Sequence, residues 1–399
     1  MANSRKSTHI EFILMMASLM SLSSLSLDAL LPALPEIGDA IRVADPHKNQ
    51  WLITMMFLGL GTGQLLSGPL SDSFGRKKVL YFGIIVFTIA SLVCVYATSL
   101  EMMLTGRIMQ GFGLSAPRTV SMAMTRDKFS GDRMARIISF VTAIFILVPV
   151  IAPTFGQLIL NWLGWESIFH SQLIFGILVT IWLWQRQPET LKQEYKLKFE
   201  RSIFRNGLKE FFKYRQAVIF TISIGLILGA FLAYLSACQQ IYQVQYGLVE
   251  EFPLIFAGIA IGIGIATFLN GRIVMRFGML KIATTSFIIF TSLSLLYVIL
   301  FYGKPNPDIW VLLGFFLVIL CCVGFIFGNQ NALALQPLGH IAGIGSALVG
   351  FFSTLMGVPI ANLIGRFVDV TVLPIFIGFS ICGMLSLSLI AYFKYHENK

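Results

Sequence analysis

From Ile309 to Gly365 the chain runs 57 residues without one Asp, Glu, Lys or Arg. A helix crossing the roughly 30 Å hydrocarbon layer of a bilayer needs about 20 apolar residues, so this stretch is long enough for two crossings. QPLGH supplies the turn between them at Pro337 and Gly339. Similar apolar runs recur along all 399 residues, and charged residues make up only 12%, against about 25% in soluble domains. A soluble globular enzyme is excluded. The runs predict an all-α integral membrane protein with 12 transmembrane helices, near 10–35, 50–70, 79–99, 102–124, 137–161 and 167–185, then 216–240, 252–271, 282–302, 309–332, 341–364 and 371–393.

The net charge of +10 would suit a nucleic-acid binder, but its distribution reads as a membrane orientation signal. Of the 29 Lys and Arg, 23 fall in alternate connections and at the two ends; the other connections hold only Arg42, Lys48, Lys304 and Arg366, and Arg107 and Arg118 lie inside helix 4. The positive-inside rule then places both termini in the cytoplasm. No nucleic-acid partner is expected. Arg5 and Lys6 precede an apolar run with no small-residue cleavage signal, so helix 1 is expected to stay as an uncleaved anchor. The five cysteines sit in apolar runs without metal or disulfide spacing.

A polar connection divides the chain into an N-terminal six-helix bundle (1–185), a basic linker (186–215) and a C-terminal six-helix bundle (216–399). In the linker Phe199, Ile203, Phe204, Leu208, Phe211 and Phe212 recur at helical spacing. Two readings stand: an amphipathic helix on an anionic leaflet, or a solvated basic tether. Sliding the chain by 203 residues aligns GLGTGQLLSGPLSDSFGRKK (59–78) with GIGIATFLNGRIVMRFGMLK (262–281), with seven identities in 20 positions. Helix 2 thus matches helix 8. A shift of six helices keeps the orientation, which predicts two parallel repeats with a site between them.

Polar groups inside the spans mark the candidate machinery. Well inside helix 1 lies one acid, Asp28, and Pro32 removes the hydrogen bond to its carbonyl. A carboxyl whose surroundings alternate between wet and dry can exchange a proton. In helix 4, Arg107 is costly unless paired or hydrated, and either serves function or snorkels to the surface; Arg118, three turns further, lies on roughly the same face. Between helices 2 and 3, Gly68 and Gly75 permit a tight turn and close helix approach, while Asp72, Arg76 and Lys77 supply charges for a breakable latch. In the second copy Asp72 becomes Met275 and Arg76 becomes Met279. Helix 5 carries Pro149, Pro153 and Gly156, a hinge or seal, or a plain kinked packing helix. Helix 7 offers Tyr234, Gln239, Gln240 and Tyr242 for a cavity wall suited to bulky, partly apolar, often cationic compounds.

The loop GPLSDSFGRKKVL resembles the signature of the major facilitator superfamily. R-x-x-Q-G-x-G (Arg107, Gln110, Gly111, Gly113) resembles that superfamily's helix 4 motif, which is associated with proton coupling, and the AP-containing helix 5 resembles the antiporter motif, with Gln157 where a second Gly is usual. Together with LDALLPALP, TRD and NQNALALQPLGHIAGIGSAL, the chain looks most like the bicyclomycin and chloramphenicol resistance branch of the drug:proton antiporters. Met122 departs from the basic residue expected in close members.

The resemblance implies the major facilitator fold and a proton-coupled multidrug efflux carrier in the bacterial inner membrane. Asp28 and Arg107 would carry the coupling, with the proton gradient as energy source and no cofactor, and Asp28, Arg118, Tyr234, Gln239 and Tyr242 would line the substrate cavity. The implied partners are a small-molecule substrate, protons and membrane lipids, around a monomer. Export of an endogenous metabolite or siderophore, or uptake by proton symport, is the competing transport reading. The five histidines have no ligand spacing and no nucleophile cluster appears, so an enzyme or metal site is not expected; nor is there a channel filter motif.

Overall fold

A computed structural model describes residues 8–196 and 200–397. Arg5, Lys6 and Phe199 lie outside the described residues, as does the side chain of Ile203. The described chain is helical throughout and contains no strand. Its long helices are α1 His9–Asp28, α2 Trp51–Phe74, α3 Arg76–Val95, α4 Leu100–Lys128, α5 Gly131–Leu163, α6 Glu166–Arg186, α7 Arg215–Gln239, α8 Phe252–Phe277, α9 Met279–Phe301, α10 Ile309–Leu335, α11 Ala342–Gly365 and α12 Leu373–Glu397. Among the described residues ten helical stretches are long and apolar enough to cross a membrane. The other two long helices are α4, along which sit Glu101, Arg107, Arg118, Arg126, Asp127 and Lys128, and α5, whose sequence is uncharged from Ile137 to Leu163.

The chain separates into two compact units, Met1–Arg201 and Ser202–Lys399. In the first, α1 touches α4, α5 and α6, α4 touches α2 and α3, and α3 touches α6. Each of these pairs recurs six helices later in the second: α7 with α10, α11 and α12, α10 with α8 and α9, and α9 with α12. The repeat seen in 20 aligned residues therefore extends to the packing of both units.

Helices 1 and 7 depart from expectation. Helix 1 is not continuous over 10–35: its α-helix ends at Asp28, passes through a 3-10 turn at Leu31–Ala33 and resumes as the short helix Leu34–Ala40. Pro32 and Pro35 lack the amide hydrogens a continuous helix would use. Helix 5 keeps both prolines inside one unbroken helix. Helix 7 ends in a π-helical segment, Gln240–Gln245. The split at QPLGH is observed as a 3-10 segment at Gln336–Ile341.

The linker forms a helix, Arg201–Lys213, and part of its apolar face is already occupied by the second unit. Phe211 is buried and stacks on Phe352 of α11 at 5.4 Å. A Cβ on Gly207 would meet Ile344 Cγ1 at 2.7 Å. The same stripe that would suit a bilayer thus docks onto protein, leaving Phe212 outside at 60% exposure.

Candidate functional site

Glycine spacing lets α2, α3 and α4 pack backbone to backbone. A Cβ on Gly59 would stand 2.0 Å from Ile108 O, one on Gly111 2.0 Å from Met56 O, and one on Gly113 2.6 Å from Gly83 O. This closeness brings Arg107 into reach of carbonyls on neighbouring helices. Its Nε donates to Leu52 O of α2 at 2.9 Å, Nη1 and Nη2 donate to Ser26 O of α1 at 3.1 Å each, and Nη1 also donates to Gln110 Oε1 at 2.9 Å. Gln110 Nε2 donates in turn to Ser91 Oγ of α3 at 2.8 Å. Arg107 is fully buried, so it does not snorkel. The guanidinium's fixed fork suits several acceptors at once, and here it ties α1, α2 and, through Gln110, α3 to α4.

Asp28 is buried at the last residue of α1. Its Oδ2 accepts from Ser24 Oγ at 2.6 Å. The expected pairing of Asp28 with Arg107 is not what the first unit displays: the guanidinium ends on the carbonyl of Ser26, two residues before Asp28, and among the described residues neither side chain forms an ion pair with the other. Arg107 acts on the same stretch of α1 by holding its backbone. Beside Asp28, a Cβ on Gly156 would lie 1.9 Å from Ala29 O. Helix 5 therefore touches α1 backbone at the very break that carries the acid. Pro149 and Pro153 lie about two turns and one turn before this contact, respectively.

Arg118 is half-buried on α4, and among the described residues its side chain has no hydrogen-bond or ion-pair partner. It remains a charge available to a ligand. Tyr234 and Tyr242 are both fully buried in the second unit, their hydroxyls 3.4 Å apart, with Tyr234 against Phe316 at 4.9 Å and Tyr242 against Phe252 at 6.2 Å. Gln239 donates to Gln243 Oε1 at 2.8 Å, and Gln240 donates to Val368 O at 2.8 Å.

The turn between α2 and α3 is a dense ionic cluster. Gly75 takes φ +105°, a conformation open to glycine, and directs the start of α3 so that Arg76 is nearly buried. Arg76 pairs with Asp72, donates through Nε to Asp127 Oδ2 at 2.8 Å and through Nη1 to Ser71 Oγ at 2.8 Å. Glu189, just beyond α6, accepts from the backbone amides of Arg76 at 3.2 Å and Lys77 at 3.0 Å. A carboxylate at a helix N-terminus satisfies amides left over by the helix and meets the positive end of its dipole. Lys77 Nζ donates to Gln187 O at 2.6 Å. Gly68 is loosely placed, with only Thr119 Cγ2 at 4.0 Å from its would-be Cβ. Asp127 and Glu189 were missing from the expected latch. The only sequence signal was an acid directly after α6 in QPET, 113 residues from the amide it caps.

A buried polar pin in α4, an acid at a broken helix and an ionic turn all belong to one six-helix unit that is repeated. The family model described as Major Facilitator Superfamily matches residues 16–361. The chain belongs to the Major Facilitator Superfamily. It is 30% identical over 350 residues to an uncharacterized MFS-type transporter, YdgK, of Bacillus subtilis, covering 86% of each chain. It is 28% identical to a bicyclomycin resistance protein homolog of Haemophilus influenzae, over 98% of this chain and 97% of the relative. A crystal structure of a D-xylose-proton symporter shares the fold, with TM-score 0.73 and 16% identity over 96% of both chains. The chain is a multi-pass membrane transporter rather than an enzyme.

Proposed function

We propose that this transporter is a proton-coupled drug exporter, with twelve spans, cytoplasmic termini and an inner-membrane location, working as a monomer. One observation carries the reading. Asp28 is the one acid placed mid-helix in the expected spans; it is buried, bonded to a single hydroxyl, and stands where α1 breaks against the Gly156 backbone of α5. A group so placed gains and loses its proton as the helices around it part and close, which is what coupling cargo to a proton requires. The resistance-associated name of the Haemophilus influenzae relative supports bulky drug-like cargo, and the guanidinium of Arg118, without a hydrogen-bond or ion-pair partner among the described residues, offers donors to a hydrogen-bond acceptor on such cargo. The parallel repeats support alternating access about a site between the halves.

Whole-cell accumulation of a fluorescent cation tests this directly. Cells making the protein should accumulate less, and a protonophore should abolish the difference. Asp28→Asn should leave residual export that no longer responds to external pH, whereas Asp28→Glu should keep part of the response. Export by the Asp28→Asn protein with an unaltered pH profile would remove Asp28 from the coupling step. Accumulation unaffected by the wild-type protein would remove cationic drugs as its cargo.

A further inference from the structure

The docked linker helix leaves an opening that the transport reading does not use. Beside Phe212, between the linker helix, α7 and α11, lies a half-open cavity of about 340 Å³. Its walls include Phe211, Ile222, Phe352, Leu355 and Met356. Thr221 contributes the one hydroxyl, and that hydroxyl is already donated to Ala217 O at 2.6 Å. The walls therefore have nothing to offer a polar cargo and suit a plain hydrocarbon chain. Phe212, Ile222 and Leu355 keep 60%, 37% and 46% of their surface exposed, so the cavity opens sideways onto the surface of the unit.

The linker helix carries cations on the side of the exposed ring. Arg205, Lys209 and Lys213 follow one another at intervals of four along the linker helix and so share a stripe. Lys213 is paired with Glu210 at 3.4 Å. Arg205 and Lys209 are exposed and have no ion-pair partner among the described residues. Lys209 is three residues, and Arg205 seven, before Phe212, which sets both cations on the face that carries the exposed ring. An apolar slot beneath a pair of free cations is complementary to a molecule with a long hydrocarbon chain and an anionic head.

From this juxtaposition we infer that the linker helix and α7–α11 cavity form a binding site for one anionic phospholipid, whose acyl chain enters beneath Phe212 and whose phosphate meets Lys209 and Arg205. The lipid is a structural ligand of the second unit, separate from the drug route. It rests on the chain being a membrane protein and not on proton coupling, so failure of either reading leaves the other standing.

Native mass spectrometry of the purified full-length protein tests the site, with dioleoylphosphatidylglycerol and dioleoylphosphatidylcholine as probes at equal concentration. Phosphatidylglycerol adducts should survive at about thirtyfold greater abundance, the scale expected when two basic side chains meet one anionic head. The exposed double variant Arg205→Ala/Lys209→Ala should lose that preference and keep its retention of phosphatidylcholine. Leu355→Trp, which fills the cavity, should lower retention of both lipids at an unchanged melting temperature. Inorganic phosphate in millimolar excess should not displace the lipid, because the chain supplies much of the binding. Equal retention of the two lipids by the wild type, or a preference that survives the double variant, overturns the proposal; so does displacement by phosphate alone.

Discussion

The two units solve the same packing problem with opposite chemistry. Gly63 of α2 stands over Ser115, whereas its repeat counterpart Ala266 of α8 packs against Gly324, so the 203-residue shift of α2 onto α8 becomes 209 residues between α4 and α10. In that register Arg107 corresponds to Phe316. Both are fully buried. Arg107 holds its neighbours through carbonyls of Ser26 and Leu52 and the amide of Gln110. Phe316 instead stacks on Phe376 at 5.0 Å and leans on Tyr234 and Phe379. A hydrogen-bonded pin depends on direction, while an aromatic cluster depends mainly on volume and contact. The unit that carries Asp28 is the one with its geometry fixed by direction. The second unit is held by shape.

Substitutions at these two positions should separate the two chemistries. Phe316→Ala should have the largest effect on folding, about 3–5 kcal/mol, seen as a large fall in melting temperature, and Phe316→Leu should recover most of it. Arg107→Ala leaves two carbonyls and Gln110 without their partner, and should abolish transport with a smaller loss of stability, about 1–3 kcal/mol in all. Arg107→Lys should do no better, since an ammonium cannot reach all three acceptors from one position. Restoration of transport by lysine would mean that charge alone matters there, and the contrast with Phe316 would collapse.

The helix 2 glycines give a smaller and cleaner contrast. Gly59→Ala drives a methyl into Ile108 O, a backbone atom that cannot move without shifting α4, and should cost about 1–3 kcal/mol. At the repeat counterpart Gly262 the nearest atom is Leu317 Cδ1 at 2.6 Å, the far end of a flexible side chain. Gly262→Ala should stay within about 0.5 kcal/mol of wild type. Thermal unfolding of the two purified variants decides between them; equal losses would show that α8 and α10 are as tightly committed as α2 and α4.

Helix placement was legible because apolar runs and the charges between them follow from bilayer thickness, and the break after Asp28 was foreshadowed by Pro32. The partners of Arg107 were not. Backbone carbonyls of Ser26 and Leu52 are present at every residue and leave no trace in the sequence. The linker left two readings open for a related reason: an apolar helical stripe is the same whether lipid or Phe352 covers it. Tyr234 and Tyr242 read as cavity groups because aromatic residues with hydroxyls suit ligands, and no local pattern marks that the two hydroxyls are buried 3.4 Å from each other. Glu189 was hidden by distance along the chain, since nothing local marks an acid as the cap of a helix that began over a hundred residues earlier.

The smallest effect should come from rebuilding the latch where the repeat has lost it. Gly278 keeps the positive φ of Gly75, +78° against +105°, so the α8–α9 turn has the shape of the α2–α3 turn. Its Asp and Arg are Met275, 88% exposed, and Met279. The double variant Met275→Asp/Met279→Arg restores the charged pair at i,i+4 on a compatible backbone. In the first unit, however, Arg76 is fixed by Asp127 as well as Asp72, and the start of α3 by Glu189. An exposed pair alone contributes about 0.3–0.5 kcal/mol, so melting temperature and transport should barely change. Glu189→Gln in the first unit should instead slow transport severalfold at nearly unchanged stability, because a carboxylate spanning two amides becomes an amide that can satisfy them less well. If the rebuilt pair slows transport as much as Glu189→Gln does, two charges suffice to make a latch, and the surrounding network is only scaffolding.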